Sequence, residues 1–135
     1  MQQQDWDDLK AQMAMPYGNM KLKCDQFELS LVQAVDAKSR KWLTTVYVDG
    51  FFKGAWCTAS KEGEPQHEEA RRFLRKVVRR LHSAKEISEY QKLFGKREAK
   101  KLEAKVYVYF TPEWSSFNNL KKHLVANNTS IERVH

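Results

Sequence analysis

Glu68-Glu69-Ala70-Arg71-Arg72-Phe73-Leu74-Arg75-Lys76-Val77-Val78-Arg79-Arg80-Leu81 combines the densest positive charge in the chain with a clear periodicity. Apolar residues fall at 70, 73, 74, 77, 78 and 81, a spacing that predicts an amphipathic helix with one buried stripe. Arg71, Arg72, Arg75, Lys76, Arg79 and Arg80 fill the opposite ridge, one pair per turn. No acid lies among them to pair at i, i+4, so the expected helix repels itself unless an outside anion neutralises it. Five of the six are arginines, whose planar fork suits phosphate oxygens. The competing expectation is a solvated face with surface ion pairs, each contributing at most about 1 kcal/mol.

The charge around this stretch is unevenly spread. From Arg71 to Lys105 stand thirteen Lys or Arg against four Glu, while the remaining residues carry eleven basic and thirteen acidic groups. The net charge of +7 over 135 residues therefore arises in one segment, which implies a polyanionic partner. Nucleic acid (DNA or RNA) is the first candidate partner, and an acidic protein surface the second. Lys96, Arg97, Lys100 and Lys101 extend the same basic surface.

Upstream, Trp6, Leu9 and Met13 recur at helical spacing within residues 1–15, with Asp5 placed to cap the helix and Asp7 and Asp8 near its positive end. Pro16-Tyr17-Gly18-Asn19 breaks it. Strands follow: Met20, Leu22 and Cys24 alternate with Lys21 and Lys23, and Phe27, Leu29, Leu31 and Val35 resume after Asp25-Gln26. Trp42 to Val48 is rich in β-branched and aromatic residues and is expected as a central strand. Asp49-Gly50 is the strongest hairpin signal, because a type I′ turn needs positive φ at both central residues. It predicts a returning strand over 51–57 and a three-stranded antiparallel meander.

Downstream, Pro65 suits the first turn of the basic helix. Ser83-Ala84-Lys85-Glu86 has capping-box form and predicts a second helix, with apolar positions Ile87, Tyr90, Leu93 and Phe94 and Gly95 at its end. Leu102 to Phe110 alternates: Leu102, Ala104, Val106, Val108 and Phe110 point one way, Tyr107 and Tyr109 the other. Ser115 or Ser116 caps a last helix carrying Phe117, Leu120, Leu124 and Val125, and Ile131–Val134 is an edge strand or a tail. Strands and helices are segregated more than they alternate. The expected class is α+β in a single domain, 1–135: the meander, extended by a later strand, with helices packed on one face.

Trp42, Tyr47, Phe51, Phe52, Trp56, Tyr107 and Tyr109 all fall on expected strands, and most of these rings are expected to serve packing. Tyr107 and Tyr109 oppose the apolar face and, beside cations, would make a stacking platform for bases. Cys24 and Cys57 are expected as two buried thiols, and with scattered histidines they lack zinc-site spacing. Glu103-Ala104-Lys105 on a strand has the Glu-x-Lys form of metal-dependent nucleases, but a second carboxylate from a neighbouring strand is missing. No window approaches about 20 apolar residues, and the polar, acidic N-terminus is unlike a signal peptide, so an intracellular protein without a membrane span is expected. Together these features predict a small, non-enzymatic nucleic-acid-binding protein of weak sequence specificity, without cofactor or metal. The alternative is an interaction module or inhibitor docking its basic face on an acidic partner. Either would suit an accessory protein of a phage or mobile element.

Overall fold

The computed structural model describes residues 1–134. The chain runs from α1 (Gln3–Met13) into β1 (Asn19–Cys24), β2 (Phe27–Val35) and β3 (Trp42–Val48). A 3-10 turn at Gly54–Cys57 and a short α2 (Glu68–Phe73) lead to β4 (Arg75–Arg80). Two helices, α3 (Ala84–Phe94) and α4 (Lys96–Glu103), precede β5 (Val106–Thr111). Then come β6 (Glu113–Trp114), α5 (Phe117–Asn127) and β7 (Ile131–Val134). The fold is α+β.

β1, β2 and β3 form the antiparallel meander, and β6 and β7 extend it at its two edges in the order β6-β3-β2-β1-β7. Residues paired across strands share a face, so Leu22 and Leu29, and Leu31 and Val46, point the same way. That face is buried against Trp6, Leu9 and Met13 of α1, Ala70 and Phe73 of α2, and Leu120 and Leu124 of α5. Each of the Leu, Met and Phe side chains contributes about 1.5–3 kcal/mol when fully buried, so this layer holds the sheet and its helices together. Lys21, Lys23 and Glu28 on the opposite face are exposed. Asp5 serves α1 from its third position rather than as the cap itself. Its carboxylate accepts the Gln2 backbone N–H at 3.1 Å.

The Asp49-Gly50 turn forms as its residues demand, with φ of 52° and 82° and Val48 bridged to Phe51. The returning strand expected over 51–57 does not follow. The edge of β3 that it would occupy is taken by residues 112–114, where the Val46 N–H donates to the Pro112 carbonyl at 3.0 Å. The chain from Gly54 winds into the 3-10 turn instead. Pro65 sits in a bridge to Ala59, upstream of α2.

The larger correction concerns residues 68–81, which are not one helix. α2 ends at Phe73, Leu74 adopts extended backbone (φ −97°, ψ 149°), and Arg75–Arg80 pairs antiparallel with Val106–Thr111. Apolar pairs at 73–74 and 77–78 satisfy a helical stripe, yet Phe73, Leu74 and Val77 are buried equally well across a helix-to-strand junction. Two forces favour the strand. Extended backbone splits each pair of neighbouring cations between opposite faces, easing the repulsion a helix would concentrate. Val106-Tyr107-Val108-Tyr109-Phe110-Thr111 also supplies a β-branched and aromatic partner strand. The expected strand from Leu102 begins only at Val106, because Leu102 and Glu103 close α4. It joins β4 in a separate two-stranded ribbon rather than the main sheet.

Candidate nucleic-acid interface

The ribbon β4–β5 carries α3 and α4 between its strands and stands as an arm on the sheet-and-helix body. Its root is fixed. Phe110 lies in the core, the Trp114 indole N–H donates to the Phe73 carbonyl at 3.2 Å, and Arg75 Nε donates to the Glu113 carbonyl at 3.2 Å. Its outermost helix is exposed. α3 has no buried residue, although Ser83 caps it by accepting the Glu86 N–H and Gly95 ends it at a φ of 89°, which an L side chain rarely adopts. Ile87, Tyr90, Leu93 and Phe94 are the apolar positions of α3. Leu93 is 77% and Phe94 59% exposed, at the corner between the helices.

The arm also holds the whole net charge of the chain. Residues 75–111 carry eleven Lys or Arg and four Glu, and the rest of the chain has thirteen of each sign. On α4, Ala99 is buried and Lys96, Arg97, Lys100 and Lys101 are exposed, a pair of cations per turn. The ridge pattern read onto 68–81 is thus present here. Lys101 meets Glu98 at 3.3 Å. On the ribbon, Arg80 meets Glu103 at 3.3 Å, while Lys76 and Arg79 are exposed and have no acidic partner among the described residues.

Strand alternation sorts the ribbon into two faces. Lys76, Val78 and Arg80 share one with Phe110, Val108 and Val106. Phe110 and Val108 tie that face to the core, and a side chain at Gly63 would contact Val108. Arg75, Val77 and Arg79 share the other with Thr111, Tyr109 and Tyr107. Arg79 pairs directly with Tyr107, and the rings of Tyr107 and Tyr109 stack with centroids 6.0 Å apart and planes 19° from parallel. Val77 is buried and Tyr109 half-buried on this second face, so it too is covered near its root, and Tyr107 is the exposed ring toward its outer end.

Two of the six cations read as one ridge belong elsewhere. Arg71 and Arg72 lie on α2 and both donate to Glu68, a partner just upstream of the run that i, i+3 and i, i+4 spacing makes available. Arg72 also reaches Asp25 at 2.6 Å and Asn128 at 3.1 Å and lies over the Phe27 ring. The Arg72 side chain is 15% exposed, so it is a structural tie rather than a phosphate contact. Hydrogen bonds from Arg71 and Arg72 hold the Glu68 carboxyl at about 2, well below its ordinary value. The Thr129 amide and Arg72 likewise lower Asp25. Asp25 thereby joins the β1–β2 turn to Thr129 and Ser130, whose amides donate to it at 3.0 and 2.9 Å. His123 donates from Nε2 to the Arg71 carbonyl at 3.0 Å, and burial lowers its pKa.

Glu103 ends a helix rather than lying on a strand, and its partner is Arg80, so the strand-borne Glu-x-Lys arrangement does not form. Among the described residues no group of three or more His, Cys, Asp or Glu is arranged to hold a metal ion. Both cysteines are unpaired thiols; burial raises Cys24, assisted by Asp25, to about 12, and raises half-buried Cys57. No helix of the described residues is long and apolar enough to cross a membrane. No protein-family model, curated protein or solved structure matches the chain.

Proposed function

We propose that the chain binds nucleic acid through its arm, with Lys76, Arg79, Lys96, Arg97 and Lys100 placed to contact phosphates. Arg80 and Lys101 add to the same positive field from within ion pairs. Arg71 and Arg72 are left out of this contact set because Glu68 and Asp25 already neutralise them, and half-buried Arg75 because its Nε donates to the Glu113 carbonyl. One observation carries the reading: the arm holds the entire surplus of +7, and the body is electrically balanced. Such a field attracts phosphates irrespective of sequence, through release of condensed counterions. No side chain is committed to base edges, so weak sequence specificity is expected. Retention of the protein on immobilised DNA or RNA at low salt is the test. Lys76→Glu with Arg79→Glu should abolish retention without altering the circular dichroism spectrum. A wild-type protein that passes through both columns at low salt overturns the proposal.

A second reading is favoured by the corner of the arm. Leu93 and Phe94 are exposed large apolar residues between Lys92 and Lys96, a combination that suits an acidic protein with an apolar patch. Leu93→Ser would then remove partner capture while leaving retention on nucleic acid unchanged.

A further inference from the structure

We infer that the ribbon face bearing Arg79, Tyr107 and Tyr109 takes single-stranded nucleic acid, with a base stacked on the open side of the Tyr107 ring. This rests on the nucleic-acid reading above and narrows it to one class of ligand.

Three observations carry it. The two tyrosines share one face of the ribbon, where Tyr107, toward the outer end, is 47% exposed and Tyr109 is half-buried across from buried Val77. Their rings are already stacked, 6.0 Å between centroids and 19° from parallel. A base held between two rings needs a gap of about 7 Å, twice the stacking distance in nucleic acid, so a base extends the pair from the outside. Arg79 lies directly across the ribbon from Tyr107 and has no acidic partner among the described residues. A ring for the base and a guanidinium for the adjoining phosphate therefore sit side by side, the pairing used where strands are bound without sequence preference.

A duplex fits this face poorly, because its bases are stacked on each other and show only their edges. A bare two-stranded ribbon enters a major groove about 12 Å wide, but this ribbon ends in two helices, each about 10 Å across, not in a tight turn. The unstacked bases of a single strand meet neither obstacle.

The test uses the full chain and three probes: oligodeoxythymidylate, its duplex with oligodeoxyadenylate, and an abasic deoxyribose-phosphate strand of equal length. Wild type should bind the base-bearing single strand about tenfold more tightly than the abasic strand, the size of one stacked base. Tyr107→Leu should erase that difference and Tyr107→Phe preserve it, with the unfolding midpoint of each variant recorded. Equal affinity of wild type for the base-bearing and abasic strands overturns the inference and leaves phosphate binding standing. Preference for the duplex that survives in Tyr107→Leu does the same. Binding to none of the three overturns the inference and the reading beneath it together.

Discussion

Arg72 and Arg79 belong to one cationic run, yet they sit in regions built on opposite terms. Around Arg72 the body satisfies its charges internally: Glu68, Asp25 and Asn128 surround the guanidinium, and acids and bases balance. Around Arg79 the arm leaves charge and apolar surface exposed, with Leu93, Phe94, Val78 and Tyr107 all open to solvent. A buried, hydrogen-bonded cation is a structural part, because removing it strands its partners. An exposed cation without a counterion contributes little to stability and remains available to a ligand. The same residue type thus does different work according to whether its neighbours neutralise it.

The contrast can be broken most forcefully in the body. Phe73→Ala removes a fully buried ring from the core and should cost about 3–5 kcal/mol in denaturant unfolding. A loss under about 1 kcal/mol would mean that α2 is not packed as described. Arg72→Ala comes next, on the order of 2 kcal/mol from several charge-assisted hydrogen bonds, while Arg79→Ala should fall within about 0.5 kcal/mol of wild type. Equal effects at the two sites would erase the distinction between body and arm.

Acid sharpens the same comparison with a smaller effect. Glu68 and Asp25 have depressed folded-state pKa values, so each stabilises fully above its ordinary carboxylate range and loses that contribution as pH falls toward the folded value. The unfolding midpoint should therefore drop between about pH 5 and pH 2, and drop less steeply in Arg72→Ala. Solvent screens the half-exposed Glu68, which keeps the effect below that of removing Arg72 itself. A midpoint flat across this window would show that the Arg72 node contributes nothing. The smallest change is expected at the far end of the arm. Leu93→Ser should leave stability within about 0.5 kcal/mol, since the side chain is 77% exposed.

Much of the body was legible in the sequence because its signals are local. The Trp6, Leu9, Met13 spacing, the β1–β3 alternation, the Asp49-Gly50 turn and the Ser116 cap each lie within a few residues of what they specify. The arm was legible in part. The Ser83 cap, Gly95 and the alternation of Tyr107 and Tyr109 form as expected. The fate of 75–80 was not legible, because its strand partner lies beyond two intervening helices, and apolar pairs at 73–74 and 77–78 satisfy a helical period too. The segment of surplus charge is read from the sequence itself, but its ridge cations without an acidic partner among the described residues lie on α4 and the ribbon rather than on α2. Glu68, whose pairing with Arg71 and Arg72 removes them from the ridge, stands within one helical turn and could have been found by that spacing.

Salt dependence of binding tests the division between arm and body most directly. Affinity for a DNA oligonucleotide is measured over a range of salt for wild type, for Lys76→Gln with Arg79→Gln on the arm, and for Lys21→Gln with Lys23→Gln on the outer face of the sheet. The log–log slope should fall by about two in the arm variant, one for each phosphate contact removed, and stay unchanged in the sheet variant. An equal loss of slope in both variants, or no binding by the wild type, would contradict the claim that the arm is the nucleic-acid interface.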